Sequence, residues 1–222
     1  MTTTRPAQQV QQDDARLARF DLVERCTHWL VAALFGVLIV TAIPLYFGTL
    51  FGIVLPRQTI ARLHLWCGLA LPVPIIVSLF GRWGAAMRAD IVRINNWTRA
   101  ERRWLRTLGR APLRAGKFNP GQKLNATIIG ATIFTLVVTG SMLQWFRFFP
   151  VNLRVNATFV HDVVAFSVVI LITGHITMAV AHRDSLKSMF RGTISSRWAS
   201  RHAPAWLDEI EQTDGKQAAD KA

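Results

Sequence analysis

Residues 159–182 read FVHDVVAFSVVILITGHITMAVAH. The run is long and apolar enough to cross a bilayer as a helix, yet it holds His161, Asp162, His175 and His182. Ionisable groups are costly in hydrocarbon and are rarely left there without a partner. His161 and His175 are fourteen residues apart. At about 100° per residue that gap closes to within roughly 40° of a whole number of turns, and it rises about 21 Å. Both imidazoles therefore leave one face of a single helix, at two different depths.

Three more apolar spans precede it, at residues 27–47, 60–80 and 124–146. Each is about 20 residues or slightly longer, which suits a helix crossing roughly 30 Å of hydrocarbon. The 222-residue chain is 51% hydrophobic, with a mean hydropathy of +0.26. Four such spans leave too little polar surface for a soluble domain. Pro72 and Pro74 fall inside the second span and predict a kink or a broken turn. The expected fold is all-α, a bundle of four transmembrane helices over residues 19–211. Residues 1–18 and 212–222 read as disordered tails. A cytoplasmic loop is expected over 82–123, and short helices between 184 and 210. The N-terminal tail does not read as a signal peptide, because its apolar region starts late and no small-residue cleavage site follows.

Lys and Arg total 26 against 13 acidic residues, a formal net charge of +13. Their distribution decides what that charge means. All but Arg57, Arg62, Arg147 and Arg154 lie before the first span, between Arg82 and Lys123, or after His182. The positive-inside rule then predicts that both termini and the long loop are cytoplasmic. The excess is a topology signal with some attraction for anionic lipid, and no nucleic-acid partner is expected.

That topology gives each histidine a depth. His28 starts the first span on the inner side, and His175 lies near the inner end of the fourth. His64 and His161 lie towards the outer side. His182 sits at the membrane edge beside Arg183, and His202 lies in the cytoplasmic segment. Zinc requires three or four ligands, and no further Cys, Asp or Glu lies at the right depth. Haem iron requires only axial ligands, and helix bundles supply them from facing helices. The pattern thus suggests two stacked haem centres. Gly36, Gly68, Gly140 and Gly174 either make room for a macrocycle or pack helix on helix. No CxxCH motif is present, so no c-type attachment is expected. Cys26 and Cys67 fall at opposite depths, too far apart for a disulfide. A histidine proton relay in a transporter, or a structural anchor for a peripheral enzyme, remains open on spacing alone.

The segments RFDLVERCTHW (19–29), RLHLWCG (62–68), KFNPGQKLN (117–125) and GTISSRWASRHAPAWLDEIE (192–211) join the His161–His175 spacing in a more specific pattern. Over 19–211 the chain resembles the cytochrome b (gamma) subunit family of membrane-bound respiratory formate dehydrogenases. The Arg-rich stretch 82–114 departs from that pattern. The resemblance implies two haems b, with His28 and His175 ligating the inner iron and His64 and His161 the outer. It places a quinone site near the inner haem, with Asn119 of the N-x-G-Q-K motif and His175 as its residues; Gln122 and Lys123 follow in the same motif. Arg25, Arg62, Arg154 and Arg183 are candidates for propionate partners or plain membrane-boundary charges.

The resemblance further implies a multi-pass protein of the bacterial inner membrane, serving anaerobic respiration. Its partners would be an iron–sulfur subunit and a molybdopterin catalytic subunit on the outer face. No nucleotide-binding loop, cluster motif or nucleophile constellation is present in this chain. Substrate oxidation is therefore expected in a partner, and quinone is expected as the electron acceptor. A related cytochrome b subunit serving a hydrogenase, a thiosulfate reductase or another molybdoenzyme is the alternative.

Overall fold

The computed structural model describes residues 15–48 and 55–219. In chain order the elements are β1 (Arg16–Ala18), α1 (Leu22–Tyr46), α2 (Arg57–Ala70), α3 (Val73–Ser78), α4 (Ala85–Asn95) and α5 (Arg99–Arg106). There follow α6 (Pro120–Gln144), a 3-10 turn (Phe146–Phe148), α7 (Val151–Ala181), α8 (Arg183–Arg191), β2 (Thr193–Ser195), α9 (Ser196–His202) and α10 (Pro204–Ala219). Four stretches are long and apolar enough to cross a membrane: Leu22–Tyr46, Arg57–Ser78, Pro120–Gln144 and Val151–Ala181. They coincide with the four spans expected from sequence. The second is broken between α2 and α3. Proline cannot donate a helical hydrogen bond and its ring collides with the preceding turn, so the break at Pro72 has a local cause.

The chain divides into two compact units. One comprises residues 23–87 and 127–178 and holds most of the apolar helices. Its core takes one buried residue from each span: Phe35, Leu71, Ile133 and Val168. Val31, Leu34, Leu38, Ile75, Ile129, Val137 and Ile172 pack around them. Large apolar side chains on the other faces are exposed, among them Phe134, Phe159 and Ile170. A helix facing lipid has no reason to hide such residues.

The other unit gathers the described parts of 1–22, 88–126 and 179–222. β1 and β2 pair antiparallel, with Leu17 opposite Ile194. Gly192 adopts a left-handed conformation at φ 79° and ends α8. Its carbonyl accepts the backbone N–H groups of Arg19 at 2.8 Å and Phe20 at 3.0 Å. A side chain would be strained at that φ, so the turn depends on glycine. Ile194, Ala199, Ala203 and Trp206 form the buried core here.

Charged side chains are buried beside that core. Lys117 Nζ lies 2.5 Å from Asp90 Oδ2, with both side chains less than 8% exposed. Arg93 binds Asp90 at 2.9 Å and Glu209 at 2.6 Å. Burial lowers the Arg93 pKa, but its bonds to Glu209 and Asp90 outweigh that and raise it. Arg19 is almost fully buried. It donates to the hydroxyls of Ser185 and Ser188 and to the Lys117 carbonyl, with its guanidinium 4.5 Å from the Trp198 ring centre. Burial brings its pKa down to about 10, partly opposed by Asp90. It stays charged at neutral pH.

Two expectations are corrected. The segment 82–123 is not simply a loop, since it carries α4 and α5. Thr98 and Glu101 form a capping box that starts α5. The C-terminal tail expected to be disordered from residue 212 is helical as far as Ala219. Trp206 anchors that helix in the core, and the Gln-, Lys- and Ala-rich residues beyond it are good helix formers. Of the expected N-terminal tail, residues 16–18 form β1, while 1–14 lie outside the described residues, as do 220–222.

Glu101 supplies a pH test. Its carboxylate accepts the Thr98 backbone N–H at 2.8 Å and pairs with Lys123 at 2.6 Å. Burial raises its pKa, but these bonds outweigh burial and hold it below the ordinary 4.5. The stabilisation is therefore complete above pH 4.5 and is lost as pH falls below that value towards the depressed pKa. Thermal melts of the detergent-solubilised chain should show a steeper acid loss for wild type than for Glu101→Gln. Replacing Asp90 by Asn removes the carboxylate charge that Lys117 and Arg93 share, and breaking a buried pair this way costs about 3–5 kcal/mol. The same melts should show a clear fall in midpoint at pH 7.

Candidate functional site: four histidines at two levels

His64 and His161 are held in the same way. His64 leaves α2, and its Nδ1 lies 2.8 Å from the hydroxyl of Thr41 on α1. His161 leaves α7, and its Nδ1 lies 2.9 Å from the hydroxyl of Thr139 on α6. Each threonine sits one helix earlier in the chain than the histidine it meets. Beside Thr139, Gly140 is closely covered by the same imidazole. A Cβ there would come within 3.2 Å of His161 Cε1.

His28 and His175 face the same region of this unit. His28 on α1 and His175 on α7 have ring centres 6.1 Å apart and ring planes at 54°. Trp29 packs edge-on against His28, with 5.2 Å between ring centres. His161 and His175 belong to one unbroken 31-residue helix. Their fourteen-residue separation therefore is a real helical rise of about 21 Å.

A family model described as prokaryotic cytochrome b561 matches residues 19–192. The chain belongs to this family. Three curated relatives are cytochrome subunits of formate dehydrogenases. The nitrate-inducible formate dehydrogenase cytochrome b556(Fdn) subunit of Escherichia coli K12 is 27% identical over 216 residues, spanning 92% of this chain and 96% of its own. The formate dehydrogenase cytochrome b556 subunit of Haemophilus influenzae is 27% identical over 205 residues, spanning 89% and 84%. The cytochrome b556(fdo) subunit of Escherichia coli K12 is 25% identical over 212 residues, spanning 91% and 97%. Four apolar helices in a cytochrome b561 chain make this a multi-pass protein of the bacterial inner membrane.

Membership of the cytochrome b561 family implies haem b, and the spacing of His28 and His175 fits it. A metal–imidazole bond is about 2.0–2.1 Å, and a ring centre lies roughly 1.1 Å beyond its ligating nitrogen, so two axial rings on one metal have centres about 6.3 Å apart. The observed 6.1 Å agrees. The outer pair fits by its donor chemistry, since the bond at each Nδ1 leaves Nε2 to face a metal. Among the described residues no group of three or more His, Cys, Asp or Glu could hold a metal ion.

Other candidates lie elsewhere. His202 stacks on Trp198, in the unit that holds the C-terminal helices. Cys26 and Cys67 are free thiols. Arg154 lies over the Phe146 ring, 5.6 Å from its centre. Asn119 and His175, paired as quinone residues by the resemblance, fall in different units.

Asn119 also has a local task that sequence reading overlooked. Its side chain accepts the Gln122 backbone N–H at 2.9 Å, while the Gln122 side chain accepts the Asn119 backbone N–H at 2.9 Å. This reciprocal pair is a capping box, with Pro120 in the first helical position. Lys123, next in the motif, is buried against Glu101 and donates to the Asn96 carbonyl at 2.8 Å. The spacing of an acceptor residue three before a glutamine was the available signal. Thr41 and Thr139 had no such signal, because an isolated threonine in an apolar span also bonds its own helix.

The capping and quinone readings of Asn119 separate by substitution. Asn119→Ala should lower stability by about 1 kcal/mol, whereas Asn119→Ser, which still caps, should restore it. If the amide also contacts quinone, the serine variant will melt like wild type yet reduce a soluble quinone analogue more slowly. Melting curves and quinone-reduction rates on the same preparations measure both effects.

Proposed function

We propose that the chain is the membrane cytochrome b subunit of a formate dehydrogenase, with His28 and His175 ligating an inner haem b and His64 and His161 an outer one. The carrying observation is the arrangement of four imidazoles at two levels of one helical unit, with 6.1 Å between the inner ring centres. The near full-length similarity to formate dehydrogenase cytochrome subunits supports the donor class. The charge distribution supports cytoplasmic termini and a cytoplasmic 82–123 segment.

Bound haem b supplies one-electron carriage from the outer face, where a partner iron–sulfur subunit would deliver electrons taken from substrate by a molybdopterin subunit, to quinone at the cytoplasmic face. The chain's own part is placement. α7 fixes two ligands about 21 Å apart along one rigid rod, so neither level can drift relative to the other. α1 and α2 complete the two levels from separate directions. Asn119 and His175 are the proposed quinone residues, and protons for quinone reduction come from the cytoplasm. Moving negative charge inward against the membrane potential is worth about 2.3 kcal/mol per electron for each 100 mV.

Reduced-minus-oxidised spectra test this reading. The purified chain should show b-type bands and two haems per polypeptide by pyridine haemochrome assay. Replacing His64 or His161 by Ala should remove one haem, and replacing His28 or His175 should remove the other. A colourless chain after expression with ample haem would end the redox reading. Co-purification with a hydrogenase, a thiosulfate reductase or another molybdoenzyme in place of one that oxidises formate would reassign the partner and leave the haem sites standing.

A further inference from the structure

A hydroxyl has one proton to give. Thr41 Oγ1 lies 2.7 Å from the Val37 carbonyl and 3.1 Å from that of Leu38. Thr139 Oγ1 lies 2.7 Å from the Thr135 carbonyl and 3.4 Å from that of Leu136. Carbonyls only accept. The carbonyl four residues back, at 2.7 Å, is a nearer acceptor than the imidazole nitrogen at 2.8 or 2.9 Å, which favours each threonine giving its proton to its own helix. The hydroxyl oxygen facing His64 or His161 must then accept, and the imidazole Nδ1 must carry the donated proton. With the protons so placed, His64 and His161 each have Nδ1 protonated and Nε2 bare. This is the form in which an imidazole binds metal through Nε2.

We infer that Thr41 and Thr139 are positioning residues that set the tautomer, ring orientation and donor strength of the outer histidines, and so hold the outer haem at a lower reduction potential than it would otherwise have. The inference rests on the proposed ligation by His64 and His161. An N–H that donates to a fixed acceptor leaves the ring a stronger electron donor through its other nitrogen. Stronger donation favours ferric over ferrous iron. Each threonine is itself polarised by its carbonyl bond, which strengthens it as acceptor through the chain of hydrogen bonds. Gly140 adds a steric limit, since any side chain there would press on the His161 ring. Neither threonine touches the inner histidines in these bonds, so the effect belongs to one level.

The test uses the full-length chain carrying both haems. Thr41→Val and Thr139→Val keep shape and remove the hydroxyl, while Thr41→Ser and Thr139→Ser keep the hydroxyl. Potentiometric titration of the α-band should resolve two midpoints. In the valine variants one midpoint should rise, by up to about a tenfold change in ferric-to-ferrous ratio, or about 59 mV for one electron. The other should stay, and the serine variants should match wild type. Loss of only the outer haem in the valine variants, with its retention in the serine ones, also supports the positioning role. Two retained haems with unmoved midpoints in the valine variants would overturn it, as would serine variants shifted as far as valine ones. Should the valine chains fail to accumulate, 15N-histidine spectra of the reduced wild type decide. Slowly exchanging, downfield Nδ1 protons on His64 and His161 support the inference, and rapidly exchanging ones refute it. A wild-type chain that binds no haem refutes the ligation itself, a different result from any of these.

Discussion

The arrangement of this molecule depends on α7 being unbroken. In hydrocarbon the backbone has no water to bond, so a spanning segment must satisfy its own amides as a helix. Once that is required, fourteen residues between His161 and His175 can mean only one thing geometrically. The two imidazoles leave one face, about 21 Å apart. A proline or glycine kink between them would have changed both quantities. Gly174 lies next to His175, but α7 passes through it without interruption.

The unit built from 1–22, 88–126 and 179–222 follows a different logic. Its core of Ile194, Ala199, Ala203 and Trp206 is small, and β1 and β2 have three residues each. Its segments come from three separate parts of the chain. Arg19, Lys117, Asp90, Arg93 and Glu209 join those parts through buried or half-buried charge. A buried ion pair adds little net stability against an apolar pair of similar size, but a mismatched partner leaves a stranded charge at high cost. Such a network therefore favours one assembly of the three segments over others more than it strengthens any of them.

What could be read beforehand follows from the range of each interaction. Spans and the break at Pro72 depend on hydropathy, local backbone chemistry and helix period. All of these are visible within about twenty residues of sequence. The charge network was not visible, because its partners are as far apart as Arg93 and Glu209, 116 residues. The helical end of α10 was misread because composition alone cannot tell a solvated tail from a helix extended from a buried anchor. The Asn119–Gln122 capping box was present in the sequence, but the motif was read for chemistry before it was read for helix capping. Thr41 and Thr139 needed the packing of neighbouring helices, which no single window contains.

The half-sites of His64 and His161 also show how one piece of chemistry arises twice in a chain. α1 with α2, and α6 with α7, are consecutive pairs of apolar helices, and in each the earlier helix supplies a threonine and the later one a histidine. The intervals are 23 and 22 residues, and the threonines sit in similar runs, LIVTA at 38–42 and LVVTG at 136–140. A threonine inside an apolar helix normally returns its proton to the carbonyl four residues back. Its oxygen is then left as an acceptor in a place with no water, and a neighbouring N–H is the partner available. An imidazole that answers it must turn its remaining lone pair away from the threonine. Orientation of the proposed iron-facing nitrogen is thus a consequence of satisfying a buried hydroxyl, and either half-site can reach it independently.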